Sequence, residues 1–184
     1  MGVEAVIAIG AGIAARSVLL TAFGADSLIE LISGVLLLWR LQVEIGHLDL
    51  GKVEATERGA TRISAWLLVL LCAYLLLSSV GGLVLGVRPQ GSVVGIAISA
   101  LAVAIMPALA WRKAVANEGI GSAALKADVA ESITCAYMAG ATLVGVLVNT
   151  LTGFWAGEYL AAFVLLYWLV GETREAFEAI RDSG

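Results

Sequence analysis

The stretch GADSLIELISGVLLLW, residues 24–39, sets the reading of the whole chain. It is the middle of an apolar run, Ser17 to Leu41, long enough to cross the ~30 Å hydrocarbon layer of a bilayer, which takes about 20 helical residues. Two carboxylates, Asp26 and Glu30, interrupt it. At i and i+4 they stand on one face of a helix, one above the other. A charge at that depth costs several kcal/mol unless something compensates it. Polar packing inside membranes ordinarily uses Ser, Thr or Asn rather than paired acids. The pair therefore reads first as a site for a cation, with a hydrogen-bonded structural pair as the plainer alternative.

A second run repeats the pattern. KADVAESITCAYMAG, residues 126–140, carries Glu131 and Cys135 at i and i+4, with Asp128 one turn earlier. Further apolar runs are Ile63 to Leu85, Val93 to Trp111, Ala123 to Thr150 and Glu158 to Val170, the last continuing into the tail. Val3 to Ala15 is apolar but too short to span, and it has no basic leader that would make it a secretory signal. It reads as part of a first helix whose other half is missing or lies upstream of Met1. The expected fold is an all-α membrane protein, a six-transmembrane-helix bundle with a short or truncated first helix. Residues 1–172 form one transmembrane domain and 173–184 a short tail. The connections are brief: a tight hairpin near Arg16 to Thr21 and a Gly/Pro turn at Gly86 to Gly91. The polar stretch Gln42 to Glu57 is expected to be the longest loop.

Composition supports this class. Hydrophobic residues make up 60% of the 184 and charged residues 14%, where a soluble domain has about 25% charged. No basic patch points to nucleic acid. Cys72 and Cys135 both fall in apolar runs, which argues for two free thiols rather than a disulfide. With the amino terminus inside, nine of the eleven Lys and Arg residues fall on the cytoplasmic side, Lys113 among them, against Arg16 and Arg88 outside. Both termini are then cytoplasmic, and the even parity requires the first short helix.

The rise of 1.5 Å per residue puts Glu30 ~18 Å below the outer hairpin. Glu131 is about as far from the inner end of its own helix. Asp26 and Cys135 each lie one turn outward of their partners, so the two pairs meet at one level near the midplane. Glu4 of the first helix shares that level.

On these residues a family resemblance becomes specific. Residues 3–34, VEAVIAIGAGIAARSVLLTAFGADSLIELISG, resemble the first two helices of the cation diffusion facilitators, which are six-helix metal/proton antiporters. The family's second helix carries an acidic residue, three others and an Asp; here Asp26-Ser-Leu-Ile-Glu30 fits. Its fifth helix carries His or Asp, three others and an Asp after an Ala-Asp lead; here Ala127-Asp128-Val-Ala-Glu131-Ser-Ile-Thr-Cys135 fits the register. Glu131 and Cys135 depart from the usual His and Asp, so metal preference does not transfer. The cytoplasmic domain that many members carry is not expected after Gly171. The resemblance implies a short, bacterial form in the inner (plasma) membrane.

The donor set can be read without the family. Asp26, Glu30, Glu131 and Cys135 suit a tetrahedral divalent ion, and a thiolate favours Zn²⁺ or Cd²⁺ over Mg²⁺ or Ca²⁺. Three carboxylates and a thiol in lipid must exchange protons for metal, which is the competition an antiporter needs. Asp128 reads as a proton-handling or supporting residue, or as the partner of Lys126; Glu4 joins it in that role. Cys135 has the alternative of a small packing residue. The expected activity is export of a divalent transition metal against protons, with no catalytic activity and no cofactor beyond the transported metal. The alternatives are a small organic-cation/proton antiporter and a non-transporting membrane metal sensor. His47, with Glu44, Asp49 and Glu54, reads as a solvated loop before a metal site. Glu158 is expected at the outer face, and Pro107 is expected to bend the fourth helix. Gly82 and Gly86, with Ser78, form a small-residue stripe expected to support a homodimer through the third helix.

Overall fold

In the computed structural model the chain is described over residues 2–45, 50–120 and 123–182. Among these residues it is all helix: α1 (Gly2–Ala15), α2 (Val18–Ile45), α3 (Leu50–Leu85), α4 (Val93–Ile120), α5 (Ala123–Thr152) and α6 (Ala156–Asp182). Four of them hold segments long and apolar enough to cross a membrane: Val18–Val35, Ala65–Leu85, Val93–Gly119 and Glu131–Thr152. These mark a membrane protein. α1 has 14 residues, ~21 Å at 1.5 Å per residue, and falls short of the hydrocarbon thickness as expected. The outward faces are apolar as well: Val84 is 79% exposed and Tyr167 87%, which in water would be a large unpartnered patch.

The polar stretch 42–57 is not the long loop it was expected to be. α2 runs on to Ile45 and α3 begins at Leu50, so most of the stretch is helical. Residues 42–45 and 50–57 hold no Pro and continue as helix from the adjoining spans. His47 and Asp49 lie outside the described residues, as do the side chains of Glu44 and Glu54.

The hairpin between α1 and α2 is two residues long, and its geometry is local. Ser17 N–H bonds Gly12 O at 2.9 Å and Arg16 N–H bonds Ile13 O at 3.2 Å, with Arg16 in the left-handed region at φ 52°. That is the Schellman closure of a helix. Ser17 then caps α2, its Oγ accepting from Leu20 N–H at 3.1 Å. The turn folds α1 back along α2 at very close range. A Cβ on Gly24 would stand 2.7 Å from Ile9 N, which is backbone and cannot yield.

α2 packs on α1, α3, α5 and α6; α4 packs on α5, and α3 on α6. The core joins Leu19, Leu20 and Phe23 of α2 to Leu75 of α3, Met106 of α4 and Met138 of α5. α2 and α5, the two acid-bearing helices, are thus direct neighbours. α4 remains one helix through Pro107. Both cysteines are free thiols, and Cys72 Sγ lies 3.6 Å from Thr173 Oγ1 of α6.

The small-residue stripe on α3 has a partner inside the chain. Gly82 is buried, and a Cβ there would fall on Tyr159 Oη, 2.7 Å from Cε1 and 2.8 Å from Cζ. Gly82 serves the α3–α6 contact, so it is not an open surface for a second copy. Gly86 ends α3 in the left-handed region at φ 64° and is exposed.

Candidate functional site

Asp26 and Glu30 lie on one face of α2, as their spacing requires, and both are buried, 5% and 4% exposed. Facing them from α5 is Cys135, itself 1% exposed, with its thiol within hydrogen-bonding reach of both carboxyls. The helix-to-helix meeting read from the two i, i+4 patterns therefore exists at Asp26, Glu30 and Cys135.

The rest of the site is built differently from the expectation. From α5 the side chain that bonds Glu30 is Ser132, fully buried, whose Oγ donates to Glu30 Oε1 at 2.8 Å. Ser132 and Cys135 are three residues apart, an i, i+3 pair on one face of the helix. Glu131, one position before Ser132, is half-buried. The carboxylate charges that reach Cys135 are those of Asp26 and Glu30. Asp128 lies in α5, but its side chain is outside the described residues.

The fourth participant comes from α4. Lys113 Nζ donates to Ser132 Oγ at 2.7 Å and stands 3.8 Å from Glu30 Oε1. The serine hydroxyl therefore takes a hydrogen bond from the ammonium and gives one to the carboxylate. Lys113 keeps 22% of its side-chain surface exposed, against 3% for Glu30, so its stem runs from the surface of the bundle into the cluster. Lys113 counted among the inner-loop charges in the sequence; the structure turns it inward. The signal was its place only two residues past the apolar run that ends at Trp111. Glu30 Oε2, on the other side of the carboxyl, is buried and has no hydrogen-bond partner of ordinary geometry. Glu4 on α1 is half-buried, and its charge acts on both Glu30 and Asp26. It does join the acid cluster from a third helix.

Among the described residues no three His, Cys, Asp or Glu side chains converge as a ready-made ligand set for a metal ion. Part of the reason is visible in the geometry: Ser132 and Lys113 take one oxygen of Glu30. The Cys135 thiol, the Asp26 carboxyl and the open oxygen of Glu30 are the donors the cluster offers an incoming cation.

A second polar cluster closes the opposite end of the bundle. Glu158, expected at the outer face, lies beside the turns that the sequence puts on that side, and it is buried there, 1% exposed. It accepts from Ser17 Oγ and, at 3.4 Å, from Asn149 Nδ2, which also donates to Pro89 O at 3.0 Å. Tyr159 Oη donates to Val87 O at 2.8 Å, and Gln90 N–H to Ala15 O at 2.7 Å. All three turns at this end are thereby tied together, and the acid is hydrogen-bonded rather than solvated.

No protein-family model matches the chain, and no curated protein resembles it closely enough to count as a relative.

Proposed function

We propose that this protein is a secondary transporter that exports a divalent transition-metal cation, Zn²⁺ or Cd²⁺ by preference, from the cytoplasm in exchange for protons. One observation carries the reading: two buried carboxyls on one face of α2 lie against a buried thiol of α5, and Glu30 Oε2 is buried with no hydrogen-bond partner of ordinary geometry. Nothing in apolar packing favours such a group. A cation that enters and leaves gives it a reason to exist. The resemblance of residues 3–34 and 127–135 to cation diffusion facilitators points the same way, as does the six-helix order. The excess of Lys and Arg on one side supports an orientation with both termini in the cytoplasm, and the family resemblance supports a bacterial inner membrane. The transported metal is the substrate, and Asp26, Glu30 and Cys135 are its donors, Glu131 completing the set if α5 turns. Glu4 and Asp128 serve proton exchange.

Proteoliposomes with an internal pH dye test the proposal. Zn²⁺ or Cd²⁺ should drive proton movement, Mg²⁺ and Ca²⁺ should not, and Asp26→Asn or Glu30→Gln should abolish the flux while the protein stays inserted. Metal binding without flux would make it a membrane metal sensor instead. A second reading has its own support. Glu30 already faces an ammonium, that of Lys113, so the same carboxyl suits a small organic cation. Proton flux driven by a lipophilic organic cation, and by no metal in the panel, would establish that reading.

A further inference from the structure

We propose that Lys113 is a tethered cation that holds the transport site while no cargo is bound, and that an arriving cation displaces it. The inference rests on the transport reading above but concerns a residue that reading does not need. Three observations combine. Lys113 Nζ is 3.8 Å from Glu30 Oε1 and bonded to Ser132 Oγ at 2.7 Å, so it stands against the carboxylate that the cargo would use. Ser132 is fully buried and joins the two, donating to Glu30 at 2.8 Å, so the ammonium has a built seat rather than a chance contact. Lys113 keeps 22% of its side-chain surface exposed where Glu30 keeps 3%, so the lysine, unlike the carboxylate, is not enclosed by the cluster and can swing away from it.

The chemistry follows from charge. An empty pocket holding Asp26, Glu30 and nearby Glu4 would gather negative charges in a low-dielectric region. The lysine ammonium offsets one of them without entering from outside. It is a compact charge on a flexible four-carbon stem, able to withdraw with its proton kept. A metal ion on Glu30 Oε2, Asp26 and Cys135 would lie within a few ångströms of that ammonium, and two positive charges so placed repel strongly. Cargo and ammonium therefore exclude one another. When cargo leaves, the ammonium returns and blocks its rebinding, which speeds release.

Equilibrium Zn²⁺ binding and mass-spectrometric lysine labelling test this together on the full-length protein in detergent. Lys113→Met keeps the length of the stem and removes the charge. It should bind Zn²⁺ on the order of tenfold more tightly, the loss of one partly solvated competing charge. Its turnover in proteoliposomes should be slower. In the wild type, saturating Zn²⁺ should raise labelling of Lys113 by an amine-reactive reagent several-fold, with Lys52 and Lys126 unchanged. The labelling needs no variant, so it stands even where Lys113→Met does not fold. Zn²⁺ binding to the wild type with unaltered Lys113 labelling, or weaker binding by Lys113→Met, overturns the displacement while leaving the transport reading intact. No Zn²⁺ binding and no Zn²⁺-driven flux in the wild type overturns both.

Discussion

Replacing Gly82 by Ala should destabilise the bundle without touching the acid cluster, and the size of the effect can be worked from the contact it creates. The added Cβ would fall on Tyr159 Oη and stand 2.7 Å from Cε1 and 2.8 Å from Cζ. Tyr159 cannot simply swing aside. Its Oη donates to Val87 O at 2.8 Å, and its ring packs edge-on against Trp155 at 6.0 Å. Overpacking of this kind costs about 1–3 kcal/mol, and losing the tyrosine hydrogen bond adds about 1 kcal/mol. Against this, Ala in a helix interior is favoured over Gly by about 0.5–1 kcal/mol. The net loss is then about 1–3 kcal/mol. Reversible unfolding in bicelles or mixed micelles measures it. Tyr159→Phe removes the nearest atom but leaves the two ring contacts, so in the Gly82→Ala background it should recover less than half of the loss. Mass photometry alongside should show the oligomeric state of Gly82→Ala equal to that of the wild type. An unfolding free energy within about 0.5 kcal/mol of the wild type would refute the contact. So would a shift from dimer to monomer with stability unchanged, since that would return Gly82 to an intermolecular interface.

Two further outcomes are expected. Cys135→Asp replaces the thiol with a harder oxygen donor and should weaken Cd²⁺ relative to Mn²⁺ in a competition flux assay; an unaltered ion ranking would make Cys135 a packing residue. Glu158→Ala leaves the Ser17 hydroxyl and the Asn149 amide short of a buried acceptor and should cost about 2 kcal/mol in the same unfolding assay, whereas Glu158→Gln, which keeps an acceptor in place, should cost under about 1 kcal/mol. Equal losses in the two variants would mean that the charge, not the hydrogen bonding, holds that end together.

The helices were legible in the sequence because the bilayer imposes a length and a polarity on anything that crosses it. Runs such as Ile63 to Leu85 and Val93 to Trp111 have no other use for so much apolar surface. The pairing of Asp26 with Glu30 on one face was equally local, since i and i+4 share a face in any α-helix. Spacing says which residues share a face and not which sector of that face meets a neighbour. Glu131 and Ser132 are adjacent, about 100° apart around the axis of α5. Only the packing of α5 on α2 decides that Ser132 bonds Glu30. Lys113 posed a related ambiguity. A long side chain at a helix end can reach outward to water or inward along the bundle, and the choice depended on an acceptor 19 residues away in α5 and a carboxylate in α2. Glu158 was drawn inside by Ser17, 141 positions earlier, and Gly82 was covered by Tyr159 of α6. The spans and the acid pair come from local rules that a single segment obeys alone, whereas the partners of those acids come from contacts between segments far apart in the chain, which no local rule contains.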